Sequence, residues 1–199
     1  MAITFLELAK ELQGFANDMA GEERGNIMVK LASDAIALNR QRVQEEGKNA
    51  QGENFKPYST KDTLIGRKSF VQQAAANSLL GSKEKRKQLE WVTIGGHKLA
   101  VLPGGYKKIR EVQGRQTGFV DFTLTGRMWG NIKLVSDRSE LNNGVAVIKA
   151  TEDIQKKKLA GNTERRGEIL GLSKKEESRL AELYEVWLSN LLRRRGLIV

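Results

Sequence analysis

Two helices are predicted at the amino-terminal end of the chain, because apolar residues there recur at spacings of three and four. The spacing from Phe5 to Met19 predicts a short amphipathic helix. A second helical stretch runs from Glu22 to Glu46, and Gly47 stands where a helix C-cap is expected. Some apolar residues of this second stretch lie off its main stripe, which indicates contacts on more than one side.

The carboxyl-terminal segment carries the clearest helical pattern. Ser173-Lys-Lys-Glu176 matches a capping box, in which the serine hydroxyl and the glutamate carboxylate each bind a free amide of the first turn. Apolar residues then recur at helical spacing from Leu180 to Leu192, so one face of this helix must be buried. Arginines fill the last turn, where cations complement the helix dipole, and Gly196 ends the helix.

The middle of the chain is strand-like. Runs of β-branched and aromatic residues bounded by turn signals occur at Trp91–Ile94, Lys98–Leu102, Phe119–Leu124, Ile132–Val135 and Gly144–Ile148. Gly95-Gly96 joins the first two runs and can take the positive φ angles of a tight hairpin. These runs predict an antiparallel sheet of about four strands.

Residues 47–90 differ from the rest, since they are rich in polar residues and glycine and show little periodicity. Long structureless insertions in compact domains are usually functional, so we interpret this segment as a basic loop or arm that reaches a neighbouring subunit. The predicted fold class is therefore α+β, in a single domain over residues 1–199. Its parts are amphipathic amino-terminal helices, the arm, the antiparallel sheet and a carboxyl-terminal amphipathic helix.

Composition limits the kinds of molecule that we expect the chain to bind. Thirty-four Lys and Arg against 24 Asp and Glu give a net charge of +10, which favours nucleic acid, an acidic protein surface or anionic lipid. The absence of cysteine excludes disulfides and thiolate chemistry. The amino terminus lacks the pattern of a signal peptide, and no stretch is apolar enough for a membrane span, so we expect a soluble protein made in a cytoplasm, without a membrane partner.

No catalytic constellation is found in the sequence. His97 is the only histidine and lies beside a predicted turn, and no nucleophile elbow accompanies it. One histidine and no cysteine can hardly supply a zinc site. Gly95-Gly96 and Gly104-Gly105 lack the spacing of phosphate-binding loops, so we interpret both as turns. The sequence predicts no catalytic residue, no metal site and no cofactor, and hence a protein that is not an enzyme.

Clustered basic residues form a candidate surface for DNA backbone or an acidic partner, although such clusters are more often simply a solvated surface. They are Lys83, Lys85, Arg86, Lys87, Lys156, Lys157, Lys158, Arg193, Arg194 and Arg195. No DNA-reading motif accompanies them, so any DNA contact is expected to be independent of base sequence.

Four segments taken in order resemble the phage virion morphogenesis and tail-completion proteins, particularly those of phages and prophages of Bacteroidetes-type bacteria. They are Arg42–Gly52 with Pro57–Lys61, Leu102–Arg110 with Gly114–Thr117, Val120–Gly126 followed by Met128, and Glu164–Ser173. Between Leu64 and Lys98 the chain departs from that family, whose members commonly have a shorter insert there.

Individual residues carry the resemblance. They are Tyr58, Gly104, Gly105, Tyr106, Arg110, Gly114, Arg115, Leu124, Thr125, Gly126, Arg166, Gly167, Gly171 and Ser173. Each also has a plain physical interpretation as a determinant of the fold. The Pro-Gly-Gly sequence makes a turn that positions Tyr106 as an anchor, for example, and Leu124-Thr-Gly126 ends a strand.

The resemblance implies a non-catalytic virion protein near the portal, in the neck that joins head to tail or in the closing ring of the tail. Its partners would be further copies of itself in a ring, then portal, adaptor or tail proteins, and passing genomic DNA bound without sequence preference. It would be made in the cytoplasm of the bacterial host. The alternatives from other classes are a non-specific DNA-binding or packaging-accessory protein and a cell-wall hydrolase, although no hydrolytic motif supports the latter.

Overall fold

The structure is a computed structural model that describes residues 5–66, 90–112, 114–122 and 127–198. The chain divides into two compact units. The helical unit is Met1–Phe55 with Asp121–Val199, and the hairpin unit is Lys56–Val120. This division is one of packing and does not test whether the two units fold together, so the single domain stays a prediction.

The helical unit begins with two helices at the predicted positions. α1 is Phe5–Ala20 and α2 is Glu22–Gln41, and α2 continues into a wider π-helical turn, Arg42–Glu46. Gly47 ends this turn at φ 67°, a left-handed conformation that glycine adopts without steric cost. The predicted C-cap is thereby confirmed.

The hairpin unit contains a three-stranded antiparallel sheet followed by a helix. β1 is Thr63–Gly66, β2 is Trp91–Ile94, β3 is His97–Leu102 and α3 is Gly105–Val112. β3 is the central strand, with β1 on one side and β2 on the other. The predicted hairpin is confirmed, because both residues of Gly95-Gly96 have positive φ, 55° and 78°.

The remaining elements of the helical unit are mostly short. In chain order they are α4 Arg127–Gly130, β4 Ile132–Leu134, α5 Arg138–Asn142, β5 Ile148–Ala150, α6 Asp153–Arg166 and α7 Lys174–Arg194. β4 and β5 form a two-stranded antiparallel ribbon. α2 packs against α1, α5, α7 and β4, which explains why its apolar residues do not keep to one stripe. No helix in the described ranges is long and apolar enough to cross a membrane.

The α+β class is confirmed, while the strands form two sheets in place of the predicted single sheet. The strand predicted at Phe119–Leu124 is wrong over its described part, because Phe122 has φ 52°, outside the extended region. The strand predicted at Gly144–Ile148 is shifted and begins only at Ile148. Before it, the Val145 amide donates to the Glu140 carbonyl at 2.8 Å, so this part of the chain turns back to α5.

β1 lies within residues 47–90, which we predicted as a loop or arm. It pairs with β3 from Thr63 opposite Leu102 to Gly66 opposite Leu99. The later part of this segment, residues 67–89, lies outside the described residues. An arm that reaches a neighbouring subunit therefore stays a prediction.

A buried arginine ties the parts of the helical unit together. Arg42 and Glu176 are each only 6% exposed to solvent, and Arg42 Nε lies 2.9 Å from Glu176 Oε1. The guanidinium also donates to oxygens of the α2 end, of the loop after α2 and of the loop before α7. These acceptors are Asn39 Oδ1 at 2.9 Å, Lys48 O at 3.0 Å, Ile169 O at 3.2 Å and Gly171 O at 2.7 Å. The buried charge is thus paired, and each of the three guanidinium nitrogens has an acceptor, as burial requires.

The same glutamate starts the last helix. Ser173 N donates to Glu176 Oε2 at 2.7 Å, and Glu176 N donates to Ser173 Oγ at 3.4 Å, which confirms the predicted capping box. Leu191 is buried near the other end of α7, on the predicted apolar face. Glu176 therefore caps α7 and neutralises Arg42 with one carboxylate.

We expect Glu176→Gln to destabilise the protein strongly, because it leaves the Arg42 charge buried without its counter-ion. Removing one partner of a buried pair typically costs about 3–5 kcal/mol. The matched control is Asp34→Asn, which breaks an exposed pair with Lys30 at 3.0 Å and should cost about 1 kcal/mol or less. Urea denaturation measures both values, and equal costs for the two variants would show that the Arg42 network does not organise the unit.

Candidate functional site

Residues that carry the family resemblance meet in the hairpin unit. Arg110 on α3 is 1% exposed, and its guanidinium carbon lies 4.6 Å from the ring centroid of Tyr58. The Tyr58 and Tyr106 rings lie 5.4 Å apart between centroids. A guanidinium over an aromatic face is held by the ring quadrupole, and more strongly where water is excluded. This stack joins the Pro57–Lys61 segment to α3.

Gly104 and Gly105 allow that segment to approach the start of α3. Both have positive φ, 79° and 58°. A Cβ on Gly105 would collide with the carbonyl oxygens of Lys61 and Ser59, so no other residue fits there. Lys107 N donates to the Ser59 carbonyl at 3.1 Å across the same approach. The Pro-Gly-Gly-Tyr sequence begins a helix here, where we predicted only a turn.

Gly114 and Arg115 close the other end of α3. Gly114 has φ 64°, its amide donates to Glu111 O at 2.9 Å, and the Arg115 amide donates to Arg110 O at 2.9 Å. These two bonds are those of a Schellman motif, which requires a left-handed residue at the Gly114 position. The Arg110 side chain donates to Gln116 O at 3.0 Å. The turn at Gly114 and Arg115 therefore leads the chain to Gln116, whose carbonyl binds the buried arginine.

The second group of matched residues lies in the helical unit, where Arg166, Gly167 and Gly171 lead from α6 into α7. Gly167 has φ 91°, and a Cβ there would lie 2.7 Å from Asn49 Nδ2. The Ala50 amide donates to the Glu168 carbonyl at 2.9 Å. Gly171 supplies a carbonyl to Arg42, and Ser173 caps α7. This segment is thereby joined to the loop after α2, which is also a matched segment.

Some predicted site residues cannot be placed. Leu124, Thr125 and Gly126 lie outside the described residues, as do Lys83, Lys85, Arg86 and Lys87. The neighbouring Phe122 is described, and its ring packs edge-on against Phe55 with centroids 4.9 Å apart. The Arg166 guanidinium lies 5.9 Å from the same Phe122 ring.

The predicted basic residues divide into paired and unpaired groups. Lys156 binds Asp153 at 2.9 Å, and this hydrogen bond lowers the pKa of the Asp153 carboxyl. Arg195 binds Asp18 at 2.7 Å, and the hydrogen bond to that carboxylate raises the pKa of the guanidinium. Arg194 lies 3.4 Å from Glu23. Two of the three arginines thus hold the end of α7 against α1 and α2.

The unpaired group consists of exposed cations. Lys157, Lys158 and Arg193 make no hydrogen bond or ion pair within the described part of the chain. Two further lysines, Lys133 and Lys149, also have no partner in the described ranges, and sequence reasoning missed them. They lie opposite each other on β4 and β5, and only the register of the ribbon reveals this. The alternation of Ile-Lys-Leu and Ile-Lys-Ala was the one available signal.

Three observations bear on ligand chemistry. His97 is exposed at the start of β3, as its predicted place beside the turn suggested. No group of three His, Asp or Glu suited to a metal ion occurs among the described residues. A cavity of about 70 Å³ lies under the ribbon, lined by residues that include Ala35, Trp129 and Ile132. It is far smaller than pockets that hold drug-sized ligands.

Comparisons with protein-family models, with curated proteins and with solved structures find no match to this chain.

We expect Gly105→Ala to destabilise the hairpin unit more than Gly114→Ala. Both glycines have positive φ, and left-handed backbone costs an L-residue roughly 1–2 kcal/mol. At Gly105 the new methyl also meets backbone oxygens, whereas at Gly114 it meets no atom within 4 Å. Thermal unfolding followed by circular dichroism compares the two, and equal melting temperatures would contradict the close approach of Lys61 to α3.

Proposed function

We propose that this chain is a non-enzymatic structural protein of a tailed bacteriophage particle. In this proposal it is a neck or tail-completion subunit that assembles into a ring joining the portal-proximal head to the tail. The proposal rests on the family resemblance and is supported by one observation. Segments that resemble the family are contact partners of one another in the fold.

Two pairings carry this observation. In the hairpin unit, Pro57–Lys61 lies against the start of α3, and the Tyr58 ring contacts both Tyr106 and Arg110. In the helical unit, the segment Arg42–Gly52 binds the segment Glu164–Ser173, through the Arg42 guanidinium and the Ala50 amide. Isolated chance matches have no reason to fall on both sides of a contact. Matches on both sides are expected if a common fold preserves the contact.

A ring of identical subunits can be built from a single type of contact that repeats between neighbouring copies. When a surface of one copy binds a different surface of the next, the contacts either close into a cycle or continue as a filament. Basic residues that face the lumen would touch passing DNA through its phosphates, with affinity that falls as salt rises. Basic residues that face outward would dock on acidic portal, adaptor or tail proteins.

A free DNA-binding or packaging-accessory protein is the second candidate. The observation in its favour is that the exposed Lys157 and Lys158, next to each other on α6, bind no acidic or polar group among the described residues. Phosphate binding needs only clustered positive charge. The paired state of Arg194 and Arg195 weighs against a larger site, because these arginines already bind carboxylates of the same chain.

The mass of the purified protein, measured by light scattering, tests the proposal. We expect a ring-sized complex when the protein is mixed with the portal-side or tail-side proteins encoded beside it. Lys157→Glu with Lys158→Glu is the companion variant, and it should still form this complex because the ring does not depend on DNA. The second candidate would be favoured by a protein that stays monomeric with both partners and slows duplex DNA in a gel at low salt. The variant should then no longer slow the DNA.

A further inference from the structure

The outer face of the β4–β5 ribbon carries two like charges in direct opposition. Lys133 on β4 is the register partner of Lys149 on β5, and both side chains are exposed. Side chains directly opposite in an antiparallel pair have Cβ atoms roughly 5 Å apart, where like charges destabilise the sheet. Neither ammonium group has a hydrogen bond or ion pair within the described ranges. The pair is therefore unfavourable in an isolated subunit.

Apolar side chains continue this face. Val147 is exposed two residues before exposed Lys149, and half-buried Ile148 separates them. The Val135 amide donates to the Val147 carbonyl at 2.9 Å, so the extended pairing reaches Val147, and side chains two apart along an extended chain lie on the same side. We call Lys133, Val147 and Lys149 the lysine face, and exposed Val145 precedes it where the chain turns back to α5. The lysine face thus combines two positive charges with exposed apolar surface, which phosphate binding does not require.

A second exposed surface of the same unit has the complementary pattern. Val186 on α7 is 60% exposed, on the side of the helix away from buried Leu191. Glu182 and Glu185 are also exposed. Glu182 lies three residues before Glu185 and four before Val186, and residues at these spacings are neighbours on a helix surface. Their carboxylates make no hydrogen bond or ion pair in the described part of the chain. We call Glu182, Glu185 and Val186 the glutamate face.

We propose that the glutamate face of one copy docks on the lysine face of the next copy. Two carboxylates then meet the two opposed ammonium groups, and Val186 packs against Val147. The two faces lie on different elements, so each copy can bind one neighbour through its lysine face and another through its glutamate face, which is the head-to-tail contact of a ring. This inference rests on the proposed ring and deepens it, because it names the surfaces that form the contact between subunits.

Charge reversal on one face tests the contact. Lys133→Glu with Lys149→Glu should weaken self-association by at least about tenfold, because like charges then face each other across the interface. Glu182→Lys with Glu185→Lys should weaken it equally. Each pair of changes lies on an exposed surface, so circular dichroism should show both proteins folded.

An equimolar mixture of the two variants provides the decisive comparison. In the mixture each reversed face meets a face of opposite charge, so assembly should return, as copies that alternate around the ring. Light scattering and sedimentation velocity report the masses. If the charge-reversed variants form assemblies of the same mass as the wild type, this contact is wrong, while the proposed ring is not contradicted. If the lysine reversals abolish DNA retention and leave assembly intact, the lysine face is a phosphate site and the inference also fails.

A cysteine pair tests the contact even where a ring does not close. The chain has no cysteine, so a mixture of Val147→Cys and Val186→Cys proteins can form a heterodimeric disulfide only through the introduced thiols. We expect this crosslink under mild oxidation, well above the level given by Ile154→Cys with Val186→Cys. Ile154 lies on α6 and is also 60% exposed. Equal yields overturn the contact, whereas a specific crosslink without assembly on neck proteins keeps it and removes the proposed function.

Discussion

The helical unit depends on the burial of one positive charge. Arg42 lies at the end of α2, where the helix widens into a π-turn, and its guanidinium has partners from three separate stretches of chain. Such a charge is tolerated only when every donor has an acceptor, so the loops on both sides must adopt one conformation. Gly47, Gly167 and Gly171 lie in those loops, and each contributes backbone that passes close to a neighbour or turns sharply.

The hairpin unit also contains a buried arginine, which lies over an aromatic ring. Arg110 is as thoroughly buried as Arg42, yet an aromatic ring and a carbonyl of Gln116 are among its neighbours. In both units a buried arginine joins a helix to a segment distant in sequence. Among the described residues of the family resemblance, Tyr58 and Gly171 contact one of the two arginines, and Gly105 and Gly167 allow chain segments to approach each other.

Local patterns in the sequence predicted the elements whose signals lie within a few residues. The capping box at Ser173, the C-cap at Gly47 and the hairpin at Gly95-Gly96 are of this kind. Partners far apart along the chain were not predictable in the same way. Nothing near Arg42 indicates Glu176 as its counter-ion, and the opposition of Lys133 and Lys149 depends on a register that only the folded ribbon fixes. The strand predicted at Phe119 failed because β-propensity does not report the left-handed turn at Phe122.

The distance along the chain between Arg42 and its counter-ion has a consequence for biosynthesis. Glu176 is made 134 residues after Arg42, which corresponds to roughly 7 to 27 seconds at translation rates of about 5–20 residues per second. During that time α1 and α2 can form, but the arginine has no carboxylate to bind and stays in water. The helical unit is completed only after Glu176 and α7 have left the ribosome. A nascent chain therefore has no finished surface on its helical unit while Glu176 is still inside the ribosome.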